Sequence, residues 1–368
     1  MKILSVVGAR PNFMKIAPLL RAFQGYPDFV SKLVHTGQHY DATMNQVFFE
    51  QLELPKPDYY LGVDAASHTQ QTATIMLALE DVVAIENPDL VLVVGDVNSS
   101  LAAALVAAKR GISVAHVEAG LRSGDRRMPE EINRIVIDSV SELLFVSEKS
   151  GLENLQRAGI PADKIFFVGN CMIDSLLFYQ ERSAQLPVLA SLDISPKKYV
   201  LMTMHRPSNV DSHEGLKTIL RMLERLTAEV SVVFPLHPRT RARFSEMGLN
   251  IPLENIPQLY LLEPQGYLEF QHLMTRAAAV LTDSGGVQEE TTYLKVPCLT
   301  FRETTERPIT VEIGSNELIS NLNPDLVREK VLAILAGEGK RGSIPELWDG
   351  KAAERIAAVI NDKFSASP

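Results

Sequence analysis

Short β-branched apolar runs alternate along this chain with longer segments whose apolar residues recur at helical spacing. Runs that are apolar on both faces, separated by amphipathic stretches, predict parallel strands covered by helices. In the first half the expected strands lie at residues 3–8, 32–36, 90–95, 113–118, 143–147 and 165–168. A second series starts at 199–204 and continues through 230–235, 259–262, 279–282 and 297–300. Two such series predict an α/β protein with two Rossmann-like domains of mainly parallel sheet. The first domain is expected over residues 1–172 and the second over 173–349, with a terminal helix at about 350–368 packing back on the first. Residues 173–183 read as helical, and 185–196 read as a linker.

A length of 368 residues exceeds the usual size of one core, which agrees with two domains. Apolar residues make up 46% and charged residues 22%, the balance of a soluble globular protein, and the net charge of -9 argues against a nucleic-acid partner. The opening MKILSVVGARP reads as a first strand, and no apolar run reaches membrane-spanning length, so membrane insertion is not expected. The two cysteines, Cys171 and Cys298, stand beside apolar strand-like residues and read as free buried thiols, which suits a reducing cytoplasm.

In open parallel sheets ligands sit beyond the carboxyl ends of the strands, so polar residues directly after strands carry the chemistry. The run Asp283-Ser284-Gly285-Gly286-Val287-Gln288-Glu289-Glu290 follows an apolar strand and opens a helix. Glycines admit a close ligand, first-turn N–H groups point at it, and the helix dipole favours negative charge: an anion-binding turn. The two glutamates one turn on suit ribose hydroxyls, and an ordinary serine-capped turn is the plainer alternative. Gly8-Ala9-Arg10-Pro11-Asn12-Phe13-Met14-Lys15 offers Arg10 and Lys15 to an anion, without the GxGxxG pattern of dinucleotide binding.

Three carboxylate sites follow in the same half: Gly95-Asp96, His116-Val117-Glu118, and Pro129-Glu130-Glu131 at a helix start. Any one of them could be a cap, but together on neighbouring loops they suit acid or base work. The second half supplies cations at strand ends, in His205-Arg206-Pro207 and His237-Pro238-Arg239, which suit a diphosphate. No HExxH or paired-cysteine spacing occurs, so neither a metal nor a cofactor is indicated. Tyr267 and Phe270 lie after a strand, where a base could stack. The polar turn Thr36-Gly37-Gln38-His39-Tyr40-Asp41 has no role that spacing assigns.

Taken together, GARPNFMK, TGQHYD, GDVNSS, HVEAGLRSGDRRMPEEINR, VGNCMID, MHRPSN, HPRTR, DSGGVQEE and TERP resemble the non-hydrolysing UDP-N-acetylglucosamine 2-epimerases, in family order over nearly the whole chain. HVEAGLR followed by PEExNR and DSGGxQEE is the specific part. The resemblance implies the GT-B fold with the active site in the interdomain cleft, a homodimer, and a UDP-sugar as substrate. It implies reversible inversion at C2 of UDP-N-acetylglucosamine to UDP-N-acetylmannosamine, through elimination of UDP, 2-acetamidoglucal, and re-addition.

Carried over by motif, Asp96, Glu118 and Glu130 become acid/base candidates, and His205 a group assisting the leaving diphosphate. Arg10, Lys15, His237, Ser284, Gly285 and Gly286 become phosphate-side residues, Glu290 a ribose ligand, Phe270 the uracil side, and Arg307 a contact to sugar or phosphate. Gln38, His39 and Glu131 keep part of a pattern by which some bacterial members bind a second substrate molecule as activator. The chain departs from many members at Pro207-Ser208, at Ile309 after TERP, and in a shorter stretch before PEE. Such changes would reshape a sugar pocket, which makes a 2,3-diacetamido uronic acid nucleotide the alternative substrate. A GT-B glycosyltransferase is the rival activity and needs an acceptor groove, whereas a non-catalytic binder has no use for three acids.

Overall fold

A computed structural model describes residues 1–37, 42–64 and 67–365. The chain divides into two compact units, Met1–Phe178 with Glu346–Pro368, and Tyr179–Pro345. The first unit is built on strands β1 (Lys2–Val7), β2 (Val30–His35), β3 (Tyr59–Tyr60), β4 (Leu90–Val94), β5 (Ser113–Val117), β6 (Leu143–Val146) and β7 (Ile165–Phe167). They form one parallel sheet in the order β3-β2-β1-β4-β5-β6-β7. β1 is central, with Val6 opposite Val34 on one side and Val93 on the other. Both faces of this sheet are covered, which is why β4 is the unbroken apolar run Leu90–Val94, buried throughout.

The second unit repeats the plan with β8 (Tyr199–Thr203), β9 (Ser231–Pro235), β10 (Leu259–Leu262), β11 (Ala279–Thr282), β12 (Cys298–Thr300) and β13 (Asn316–Leu318), in the parallel order β10-β9-β8-β11-β12-β13. Its core joins Val200, Met202, Phe234 and Leu281 to Leu216, Ile219 and Leu223 of helix His213–Thr227. In each sheet the strand order reverses once, between β1 and β4 and between β8 and β11. A reversal leaves adjacent loops diverging to opposite faces, and the opening between them is where doubly wound sheets bind ligands.

The stretch read as a linker contains helix Val188–Leu192, with Leu189 buried. Leu189 is buried within the second unit, and the helix ends on a left-handed Asp193, so this stretch is not an open linker. The terminal helix Ala352–Ser365 belongs to the first unit. The Asp174 carboxylate caps its start, accepting from the Ala352 N–H at 3.2 Å and the Ala353 N–H at 2.7 Å. Trp348, buried just before it, donates Nε1–H to the Ser147 carbonyl at 2.9 Å. Among the described residues no helix is long and apolar enough to cross a membrane.

Candidate active site

In the first unit the loops after β1 and β4, on either side of the strand reversal, are tied to each other by Asn12. Its Oδ1 accepts from the Gly8 and Ala9 N–H groups at 3.1 and 3.0 Å, and its Nδ2 donates to the Val94 carbonyl at 2.9 Å. That holds the start of helix Arg10–Phe23 against Gly95 and brings Lys15 to the end of β5, where its ammonium bonds the Glu118 carboxylate. Both side chains are buried. Gly95 is at φ +66°, and a Cβ there would lie 3.1 Å from Lys15 Nζ and 3.4 Å from Glu118 Oε2, so the backbone passes directly beside the pair. Glu118 itself has φ 75°, a conformation that costs a side-chain-bearing residue about 1–3 kcal/mol. The carbonyl of Phe145 secures it by accepting from both the Glu118 and Ala119 N–H groups at 3.0 Å.

Asp96, half-buried, is bonded by the Arg134 guanidinium, which also donates from Nη2 to Glu131 Oε2 at 2.6 Å. Glu131 further accepts from the Ser123 N–H at 2.9 Å and the Gly124 N–H at 3.1 Å. Burial pushes the Glu131 carboxyl up, but these N–H donors and Arg134 together hold it below its ordinary range. Glu131 is therefore the acid that fastens the loop, while Glu130, beside it in the first turn of helix Pro129–Val140, is half-buried. Asn133 secures the same corner, donating to the Asp96 carbonyl at 2.8 Å. Arg10 is half-buried, with its guanidinium carbon 5.9 Å from the Phe48 ring centroid. Gln38 and His39 lie outside the described residues.

In the second unit Asp283 is fully buried at the end of β11 and anchors the loop after β8. It accepts from the Arg206 N–H at 2.9 Å, the His205 N–H at 3.0 Å and Asn209 Nδ2 at 3.0 Å, and its Oδ1 is 3.0 Å from His205 Nδ1. Burial raises the Asp283 carboxyl, but the His205 ring and these donors outweigh it and leave it below the ordinary carboxylate range. The His205 ring centroid is 5.2 Å from that of His237. His237 has a structural task as well, since its Nδ1 accepts from the Arg239 N–H at 3.2 Å at the start of helix Pro238–Glu246.

The glycine-rich turn opens helix Gly285–Leu294, with Ser284 at the N-cap position. Its side chain makes no capping bond, unlike Ser67 and Ser212, which each cap their own helix. The plain serine-cap explanation of this turn therefore does not describe it. A Cβ on Gly285 would lie 2.7 Å from Arg307 Nη1 and 2.9 Å from Glu306 Oε1. Arg307 is buried in a ladder of charge, with Nε 3.0 Å from Glu289 Oε1 and its guanidinium bonded to Glu306. Glu306 is in turn 3.0 Å from Arg302 Nη1. Glu289 thus binds an arginine, and of the two glutamates expected near a ribose only Glu290 stands apart from that ladder.

Glu290 accepts from the Tyr267 hydroxyl at 2.9 Å. Burial pushes its carboxyl up to about 8; the tyrosine bond opposes that rise and the Glu289 charge adds to it. Tyr267 is buried, so it cannot offer a face to a stacking base. Phe270, one turn further along helix Tyr267–Arg276, is half-buried. Sequence spacing missed Arg134, Asn12, Asp283 and Tyr267 as partners of the candidate residues; the EINR, ARPN and DSGG contexts mark the first three.

Two doubly wound sheets, each with charged loops at its strand reversal, define the class of GT-B-type α/β proteins. The chain matches the family model described as UDP-N-acetylglucosamine 2-epimerase over residues 21–361, and it belongs to that family. It is 40% identical over 365 residues to the UDP-N-acetylglucosamine 2-epimerase of Methanocaldococcus jannaschii, covering 98% of this chain and 99% of the relative. The crystal structure of that organism's enzyme in complex with UDP-GlcNAc and UDP is similar at a TM-score of 0.91, with 40% identity and coverage of 98% of this chain and 100% of that one. The UDP-2,3-diacetamido-2,3-dideoxy-D-glucuronate 2-epimerase of Pseudomonas aeruginosa is 41% identical over 363 residues, covering 98% of this chain and 99% of that protein.

Proposed function

We propose that the chain interconverts UDP-N-acetylglucosamine and UDP-N-acetylmannosamine by inversion at C2. The observation that carries this reading is the pairing of two carboxylates, Asp96 and Glu118, at adjacent strand ends, each bonded to a buried cation. C2 of the sugar is not next to a carbonyl, so its proton leaves only in concert with a good leaving group. A carboxylate takes that proton, the C1–O bond breaks with its electrons going to UDP, and 2-acetamidoglucal remains. UDP then adds back at C1 while an acid protonates C2 on the other face.

On this reading Asp96, Glu118 and Glu130 do the proton work. His205 steadies the departing diphosphate, with Arg10, Lys15, His237 and the Ser284–Gly286 turn on the phosphate side. Glu290 takes the ribose hydroxyls, Phe270 the uracil side, and Arg307 reaches sugar or phosphate. The protein works as a cytoplasmic homodimer supplying sugar nucleotide to polysaccharide synthesis. Incubation with UDP-N-acetylglucosamine in heavy water, followed by NMR, tests the chemistry. The mannosamine epimer and deuterium at C2 are expected, and absence of both sinks the substrate assignment.

A second substrate is favoured by one observation: the chain is 41% identical to the Pseudomonas diacetamido-glucuronate epimerase and 40% identical to the Methanocaldococcus enzyme. The same NMR assay with the UDP-2,3-diacetamido uronic acid decides between them by relative kcat/KM.

A further inference from the structure

We propose that Asp138 is a positioning residue for Asp96 and Glu118, acting through a His116 ring that carries both of its protons; this rests on the epimerase reading above. Asp138 lies on helix Pro129–Val140 and is buried. Its Oδ1 is 2.7 Å from His116 Nδ1, its Oδ2 is 2.7 Å from Arg122 Nη2, and the Gly120 N–H donates to it at 3.2 Å. Every one of these partners can donate, which is the environment of an ionised carboxylate.

The other ring nitrogen, His116 Nε2, lies 3.1 Å from the Gly95 carbonyl oxygen. A carboxylate and a carbonyl only accept, so each contact needs a proton on the nitrogen that faces it. The fully buried ring serves both partners only when it holds both protons. Its position gives that state a consequence. His116 reaches from Asp138 to the residue directly before Asp96, and Asp138 also holds Gly120, two residues beyond Glu118. The left-handed backbone of Glu118 is therefore bracketed by two groups fastened to one carboxylate, and the Asp96 loop is fastened to the same carboxylate through the ring. Loss of a ring proton or of the carboxylate removes one tie from each acid's loop and leaves their spacing to the remaining bonds from Phe145 and Asn133. A displacement of about 1 Å at reacting groups can lower turnover on the order of a hundredfold.

The test has two arms. In wild-type protein labelled with 15N-histidine, both His116 ring nitrogens are expected to resonate as protonated nitrogens at neutral pH; a ring with one proton overturns the proposal, whatever the substrate. In Asp138→Asn, kcat is expected to fall about tenfold to a hundredfold with UDP affinity unchanged within about threefold. Wild-type kcat in a folded variant overturns the positioning role. Should Asp138→Asn fail to fold by circular dichroism, His116→Gln takes its place with the same expected split between kcat and UDP affinity. Wild-type protein that inverts no UDP-sugar defeats the functional reading and leaves the NMR result to decide the state of the ring.

Discussion

His205 Nδ1 lies 3.0 Å from Oδ1 of the fully buried Asp283, so the carboxylate decides which edge of the imidazole is turned away from the protein. Asp283 also holds the His205 and Arg206 N–H groups, which couples the histidine's orientation to the shape of its loop. Asp283→Asn cannot accept from all four donors, and leaving them short of a partner costs about 1–3 kcal/mol. The folded-state carboxyl is depressed below 3.8, so its contribution is present above that value and disappears as pH falls through the lower folded value. Acid unfolding monitored by circular dichroism should therefore show a shallower acid limb for the variant, with kcat reduced at neutral pH. An identical acid limb contradicts the coupling.

Asp96→Asn and Glu118→Gln should each lower kcat on the order of a hundredfold with modest loss of UDP affinity. Steady-state kinetics and calorimetry with UDP separate the two effects. Wild-type turnover in both variants removes them from the proton transfers.

Lys15 and Glu118 are both buried, so removing either member of the pair leaves a charge without that counter-ion. Lys15→Met should lower stability by on the order of 3 kcal/mol, and Lys15→Met with Glu118→Gln should recover much of the loss. Urea unfolding of the four proteins gives the coupling directly; additive losses would show that the pair is not a unit.

Glu290 predicts a conflict between stability and binding. Its folded-state carboxyl is raised from 4.5 to about 8, so the folded chain keeps a proton that the unfolded chain releases between those values. Stability is fully present below the unfolded value and declines as pH rises through the folded one. Glu290→Gln keeps an acceptor for Tyr267 without the titration, and should melt above wild type at alkaline pH while binding UDP about tenfold more weakly. Melting curves on either side of neutrality check the first half. A constant difference between the two proteins across pH counts against it.

Gly285 has room for no side chain, since a Cβ would meet Arg307 Nη1 at 2.7 Å and Glu306 Oε1 at 2.9 Å. Gly285→Ala should displace that buried ion pair and weaken UDP binding by about tenfold or more, with a smaller change in melting temperature. Unaltered calorimetric affinity would separate the turn from the nucleotide.

The sheets were legible where burial on both faces forces continuous apolar runs, as in Leu90–Val94 and Ala279–Thr282. Two edge strands escaped, Tyr59–Tyr60 and Asn316–Leu318, because they are short and their burial is incomplete. The candidate site residues were picked out in the sequence because they follow strands, which is a property of chain position. The partners of those residues were not, because Asp138 and His116 meet across 22 positions and Asp283 and His205 across 78, and only tertiary folding makes such pairs neighbours. Tyr267 shows the limit in the other direction: its position suggested a platform for a base, and burial against Glu290 gave it a different task.

The return of the chain to its first unit at Glu346 has a consequence for how the molecule is made. On the ribosome, residues 179–345 emerge complete before Trp348 and the helix Ala352–Ser365 exist to close the earlier core. The unit that is begun first is therefore finished last, and a chain terminated early would carry a completed second unit beside a first one lacking its tryptophan and the helix that Asp174 caps.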